Sequence, residues 1–306
     1  MRIRVLGSAA GGGFPQWNCG CPNCEGVRRG TICARARSQE SVAISADGEA
    51  WFLLNASPEI RAQVESFPPL QPRAPRHTPI AGILLTNGDL DHCLGLLSLR
   101  ESQPLSIYAT EAVHRGFVEG NALYATLERF VGQVTWHPVE PGQSFELALG
   151  PNRPSGIMAE PVGVPGQPPL HLRSRRAPSP EDNVGFKLRD AHTGGTLAYF
   201  SGVAAPTRAL EVALHTADCI FLDGTFWSSD ELIALGLSDR RAEDMAHWPI
   251  GGAQGSLRAL QHTPRTRRIF IHINNTNPIL RENSAEHAAV AAAGWEVAHD
   301  GLELEI

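Results

Sequence analysis

The fold class of this chain can be predicted from one stretch of sequence, Ile80-Ala81-Gly82-Ile83-Leu84-Leu85-Thr86-Asn87-Gly88-Asp89-Leu90-Asp91-His92. Its first half, Ile80 to Thr86, is a continuous apolar run of the kind found in strands buried on both faces of a sheet. Side chains that follow the carboxyl end of such a strand point into the crevice where α/β proteins place their chemistry. Asp89, Asp91 and His92 could all reach one cation there. An Asx turn with a helix N-cap explains the same residues equally well.

Outward from this stretch, short β-like runs alternate with helical ones. Strands are predicted at Ile3 to Leu6, Ser41 to Ser45, Ala50 to Leu54, Leu197 to Phe200, Cys219 to Leu222 and Arg268 to Ile273. Helices are predicted at Leu94 to Arg100, Pro206 to Leu214, Gly252 to Leu260 and Ser284 to Ala293. The end of the chain, Trp295 to Ile306, reads as a hairpin around Asp300-Gly301. This alternation predicts a layered α/β protein, with sheets inside and helices outside.

Residues 150–182 form the one break in composition, because prolines recur throughout this stretch. Proline at that density disfavours helices and central strands. We therefore expect a long surface loop within a single domain that spans residues 1–306. Arg173, Arg175 and Arg176 lie in this loop and could pair with carboxylates of a substrate, but we expect them to be solubilising surface residues.

Composition excludes several classes of function. The chain has 306 residues and a formal net charge of -6, from 26 basic and 32 acidic residues. This acidic balance argues against non-specific nucleic-acid binding, which needs a basic surface. The longest apolar runs are too short to span a bilayer, and the amino terminus lacks the features of a secretory signal. A cytoplasmic protein is the expectation, and the sequence leaves a homodimer open.

Three of the six cysteines crowd together as Cys19, Cys21 and Cys24. Thiolates at this spacing can surround one tetrahedral zinc ion. Buried free cysteines are the alternative, but the neighbouring residues are polar or turn-forming rather than apolar. We therefore predict a zinc-binding loop, whose fourth ligand must come from a distant part of the chain.

Three further positions carry candidate site residues. Asp223 follows a short apolar run and precedes Gly224, although strand-Asp-Gly is also a common turn. His272 lies in the apolar run Phe270 to Ile273 and is followed by a cluster of asparagines, which indicates a polar pocket wall rather than a core histidine. His247 precedes a glycine-rich segment and is either a substrate contact or a surface residue. Asp91, His92, Asp223 and His272 suffice for one ion of zinc, manganese or ferrous iron.

These residues, in this order, resemble the metallo-β-lactamase superfamily, whose pattern after the first long strand is His-x-His-x-Asp-His. More narrowly, the chain is similar to a family of pyrroloquinoline quinone (PQQ) biosynthesis proteins. The strings that carry this likeness are Gly7 to Cys19, Asn55 to Pro58 and Ile271 to Leu280.

The resemblance implies an αββα sandwich with a structural zinc in the cysteine loop and a metal centre at the sandwich edge. Asp91, His92, Asp223 and His272 match the ligands of the superfamily's second metal site. The histidine ligands of the superfamily's first metal site are not matched in this chain. Asn87 and Asp89 replace the two leading histidines, and Ser179 stands at the position of the third. In a related phosphodiesterase family a histidine completes the cysteine site, and Asn275 stands at that position here.

For function, the resemblance implies oxygen-dependent hydroxylation of the tyrosine ring in a peptide-derived Glu–Tyr intermediate of PQQ biosynthesis. We expect active-site iron, with Asp91 and His247 acting in catalysis. A carrier for PQQ or its precursor is the alternative. An ordinary hydrolase is a third interpretation, which Asn87 and Asp89 argue against.

Overall fold

The computed structural model describes residues 1–262 and 266–306, which form two mixed β-sheets. In spatial order, the first sheet contains β14 (Glu303–Glu305), β1 (Arg2–Gly7), β2 (Ser41–Ser45), β3 (Trp51–Leu54), β4 (Ile80–Leu84), β5 (Leu105–Ala109) and β6 (Val134–Pro138). The second contains β13 (Glu296–Val297), β12 (Arg267–Ile271), β11 (Cys219–Asp223), β10 (Thr196–Phe200), β9 (Val184–Asp190), β8 (Arg153–Gly163) and β7 (Phe145–Gly150). Strands β3 to β6 run parallel in the first sheet, as do β10 to β13 in the second.

Helices cover the outer faces of both sheets. The α-helices of the described residues are α1 (Pro22–Arg29), α2 (Ile60–Glu65), α3 (Leu90–Cys93), α4 (Glu111–Val118), α5 (Arg208–His215), α6 (Glu231–Ala234), α7 (Ser256–Ala259) and α8 (Ala285–Ala292). Helices α2 and α4 pack on the first sheet, and α5 and α8 on the second. The layers are therefore α, β, β and α, as the sequence predicts, and a cysteine cluster lies near the amino terminus.

One large apolar cluster lies between the sheets and draws side chains from both. Phe52 and Leu84 of the first sheet are buried there with Phe186, Tyr199 and Phe221 of the second. Burying each such side chain contributes about 1.5–3 kcal/mol, so this core fixes the two sheets against each other. The carboxyl ends of β4, β11 and β12 are thereby held at one edge of the sandwich.

Most of the predicted elements are present, with two corrections. The proline-rich stretch is not loop throughout, because Arg153–Gly163 form β8, the longest strand in the described residues. Pro154 lies where bulges interrupt the β7–β8 ladder, and Pro161 lies beyond Ala159, the last residue paired with β7. A missing amide proton is tolerated at both positions.

The predicted terminal hairpin is wrong. β13 pairs with β12, whereas β14 pairs with β1 of the other sheet. Asp300 lies in the turn between these strands, and its carboxylate accepts hydrogen bonds from the Ser8 and Ser38 hydroxyls. The helix predicted at Leu94 to Arg100 is a 3-10 helix over Leu94–Leu99. No helix in residues 1–262 and 266–306 is long and apolar enough to cross a membrane.

Candidate metal centre

The predicted ligands meet where three strands end. Asp91 and His92 lie in α3, just after β4; Asp223 is the last residue of β11; and His272 directly follows β12. His272 has a φ of 58°, in the left-handed region that non-glycine residues rarely adopt. Such a conformation persists where the surroundings determine it, and it frequently marks a functional site.

Asp91, His92 and His272 bring their side-chain ends together. The Nε2 atoms of His92 and His272 are 3.1 Å apart, and Asp91 Oδ2 lies 3.2 Å from the second and 3.4 Å from the first. Three atoms that each lie about 2.1 Å from one cation are separated by about 3.0–3.4 Å in octahedral or tetrahedral geometry. The triad therefore fits one transition-metal ion. Two histidines and one carboxylate are also the ligand set of non-heme ferrous oxygenases.

Asp223 groups with His272 and His247, and the ligand atoms of these three lie within 4.8 Å of one another. Its Oδ2 accepts hydrogen bonds from the Val203 amide and from His247 Nδ1, each at 2.8 Å. Its Oδ1 accepts from the Thr225 hydroxyl at 2.6 Å, and that hydroxyl lies 2.8 Å from His272 Nδ1. If His272 donates from Nδ1, its Nε2 is left unprotonated toward the triad, as a metal ligand requires.

A buried polar network supports His92 from behind. Asn55 Nδ2 lies 2.6 Å from His92 Nδ1 and donates to Glu40 Oε2 at 2.9 Å. The Tyr199 hydroxyl donates to the other oxygen of Glu40. Glu40 and Tyr199 were not predicted as site residues, because neither belongs to a local motif. The one available signal was a charged residue directly before the buried strand β2.

For Asp91, His92 and His247 of the metal centre, burial and the neighbouring charges shift the pKa in opposite directions. Burial alone would raise the pKa of Asp91, but His92 and His272 outweigh it and hold that pKa well below the usual range. Burial lowers the pKa of His92, yet the Asp91 charge raises it to about 9. The pKa of His247 is raised despite burial, because the carboxylate of Asp223 favours the imidazolium.

Asn87 and Asp89 both line a small cavity together with His247, and Asp89 is not part of the cluster that Asp91 and His92 form with His272. Burial raises the pKa of Asp89, and the charge of Arg173 and the backbone of Leu170, both in the proline-rich stretch, oppose that rise. Ser179 instead lies in a turn, where its amide donates to Asp182. Asn183 lines the cavity, as does Arg173, although we expected the arginine to be a solubilising surface residue. This stretch is therefore a wall of the site.

The cysteine loop forms a second cluster, in which the Sγ atoms of Cys19, Cys21 and Cys24 lie within 4.8 Å of one another. Asn275 Nδ2 lies 3.2, 3.6 and 3.4 Å from these three sulfurs. In a tetrahedral zinc site with three sulfurs and one oxygen, the oxygen lies about 3.5 Å from each sulfur. Because an amide can be turned to exchange its nitrogen and oxygen, Asn275 fits as the fourth donor.

Known proteins share the sequence family and the fold of this chain. The family model of the beta-lactamase superfamily domain matches residues 50–273. Proteins named coenzyme PQQ synthesis protein B from Azotobacter vinelandii and Pseudomonas putida are each 45% identical over 100% of both chains. The crystal structure of Zn²⁺-bound PqqB from Methylobacterium extorquens matches with a TM-score of 0.92 and 40% identity over 100% of both chains. A diphosphatase of the PhnP family, 22% identical with a TM-score of 0.67 over 100% of this chain and 97% of its own, shares the fold.

Proposed function

The chain belongs to the coenzyme PQQ synthesis protein B family of the metallo-β-lactamase superfamily, and we propose that it hydroxylates the tyrosine ring of a peptide-derived Glu–Tyr precursor of PQQ. The observation that carries this proposal is the triad of Asp91, His92 and His272, with donor atoms 3.1–3.4 Å apart. Asn87 and Asp89 stand where a two-metal hydrolase needs imidazoles, so hydrolysis through paired ions is disfavoured.

Asp91, His92 and His272 would hold the active-site metal, and Asp223 would complete the site from the side of His272. Ferrous iron bound there would supply the redox chemistry that joining oxygen to a phenol ring requires. Zinc has no redox chemistry, so zinc at the same ligands would leave the substrate unoxidised.

His247 is proposed as the proton carrier. Its Nδ1 is held by Asp223 at 2.8 Å, so the ring is fixed and its Nε2 is the nitrogen available to a substrate. The same carboxylate raises the pKa of His247, which equips the imidazole to hold and deliver a proton near neutral pH. Its ring stacks against that of His272 with centroids 5.4 Å apart, so proton transfer would take place beside the metal ligands.

Cys19, Cys21, Cys24 and Asn275 are proposed to hold a structural zinc. Support comes from the three sulfurs around one amide and from the Zn²⁺-bound state of the related Methylobacterium extorquens protein. Asn275 lies three residues after His272, so this zinc would anchor the loop that carries an active-site ligand. Its role is then to position His272 as well as to stabilise the amino terminus.

The test compares iron-loaded and zinc-loaded protein under identical conditions. Each form is given a Glu–Tyr cross-linked substrate, oxygen and a two-electron reductant such as ascorbate, because one atom of O₂ enters the ring and the other must be reduced to water. Oxygen uptake and product mass are recorded. We expect the iron form alone to consume oxygen and to add about sixteen mass units, the mass of one oxygen atom. Equal product from both forms would refute the proposal. Tight substrate binding without turnover by the iron form would instead indicate a carrier.

A further inference from the structure

A cavity of about 30 Å³ opens beside the triad, between the loop after β4 and the proline-rich loop before β9. Asn87, Asp89, Arg173, Asn183 and His247 contribute to its lining. One enclosed water molecule needs about 10–15 Å³ of such space, so the cavity has room for about two water-sized groups. The cavity therefore admits a small polar group and excludes an aromatic ring.

The proline-rich loop is folded tightly onto the metal motif. A Cβ added to Gly88 would lie 3.2 Å from Pro169, and one added to Gly166 would lie 2.4 Å from Asn183. Because Gly166 has no side chain, the loop can lie directly against Asn183, which any larger residue at position 166 would displace. The side chains that this loop presents to the cavity are accordingly held in place.

Arg173 differs from the two other arginines of the loop. The guanidinium of Arg176 pairs with Asp182, and Arg175 is exposed. Arg173 is half-buried, and its Nε donates to the Pro168 carbonyl at 3.0 Å. Within residues 1–262 and 266–306, its two terminal nitrogens have no hydrogen-bond or ion-pair partner. A guanidinium anchored through Nε, with both terminal nitrogens free, suits a carboxylate.

Asn183 supplies a second, independent sign of a ligand. The residue is 5% exposed, and its Nδ2 donates to the Gly202 carbonyl at 2.8 Å. Its Oδ1 is buried without a hydrogen-bond partner among the described residues. Buried acceptors are normally paired, so this oxygen is suited to a donor on a bound molecule. Asp89 adds a carboxylate to the same cavity, which favours a cationic donor.

We infer that this cavity is a subsite for the α-amino acid group of the substrate, with the carboxylate on Arg173 and the ammonium toward Asn183 Oδ1 and Asp89. A simple anion would be repelled by Asp89 and a simple amine by Arg173, whereas a zwitterion is complementary to both. The inference rests on the proposed function and deepens it, because the amino acid group would anchor the substrate while its ring stays at the metal triad.

The test measures the binding of three catechols, whose ring oxygens have affinity for the metal, to zinc-loaded protein. The probes are L-3,4-dihydroxyphenylalanine, dopamine (which lacks the carboxylate) and 3-(3,4-dihydroxyphenyl)propanoate (which lacks the ammonium). Isothermal titration calorimetry gives Kd for wild type, R173Q and the matched control R175Q. Zinc supports no oxidation, so the outcome is independent of whether the iron form hydroxylates its substrate.

We expect wild type and R175Q to bind the amino acid about 10–100-fold more tightly than dopamine, since a charge-assisted hydrogen bond is worth that factor. In R173Q this preference should disappear, because the amino acid loses the partner of its carboxylate, while dopamine no longer faces the guanidinium charge and binds at least as tightly as to wild type. The carboxylate assignment is overturned if wild type shows no preference, if R173Q keeps it, or if R175Q loses it too. The ammonium assignment is overturned if the propanoate binds wild type as tightly as the amino acid.

Discussion

Glu40→Gln tests whether the buried carboxylate behind His92 tunes the metal centre. Gln keeps the shape of the side chain and can still bond to Asn55 and Tyr199, but it removes a negative charge 3.8 Å from His92 Nδ1. Loss of such an outer partner typically lowers metal affinity about 10–100-fold, or about 1.4–2.7 kcal/mol. The metal-free protein should respond differently. Burial already raises the pKa of Glu40, so removing its charge should leave the free energy of unfolding unchanged or higher.

Two measurements separate tuning from structural damage. Metal affinity at the triad is obtained by titration against a competing chelator, with the cysteine site already loaded, and stability is obtained by urea denaturation of protein without triad metal. Glu303→Gln is the matched control, because Glu303 is an exposed glutamate that pairs with Arg4 at the surface. Unchanged affinity in Glu40→Gln would refute the reasoning. So would a loss of affinity accompanied by an equal loss of stability.

Three other expected outcomes follow from the same geometry. Cys21→Ser should lower both the bound zinc, measured by metal analysis, and Tm, measured by calorimetry. The control Cys33→Ser, at an exposed cysteine, should change neither. Full zinc content in Cys21→Ser would contradict the proposed zinc site. His247→Ala should keep the active-site metal but slow turnover about 10²–10⁴-fold, and loss of metal would make His247 a ligand instead. Burial raises the pKa of Glu231 from 4.5 to about 7, so the folded state keeps a proton that the unfolded state releases. Wild-type stability should therefore fall by up to ~3 kcal/mol as pH rises from 4.5 to about 7, relative to Glu231→Gln, and a constant difference in urea denaturation would contradict this.

Local signals in the sequence sufficed for the layered α/β class and for most of the candidate ligands. The apolar run before Asp91 and His92 and the short strand before Asp223 mark strand ends, and strand ends are where such folds gather polar side chains. The cysteine spacing likewise marks one loop without reference to the rest of the chain. These features can be predicted from the sequence because each is encoded within a few consecutive residues.

Other features depend on contacts between distant parts of the chain. His272 meets Asp91 across 181 positions, and Tyr199 reaches Glu40 across 159, so no single segment encodes the geometry of these contacts. The terminal strands read as a hairpin because their turn is locally favourable, yet packing sends them to opposite sheets.

The residues at strand ends and the thiols that share a loop can be predicted from sequence, because secondary structure and short turns follow local periodicity. Tertiary packing groups Asp91, His92 and His272 in one triad and pairs Asp223 with His247. It also places Arg173 at the site, whereas Arg175 is exposed. The physical reason is that these choices depend on how two packed sheets and a folded-back loop exclude water around particular atoms. That exclusion is a property of the whole core rather than of any segment.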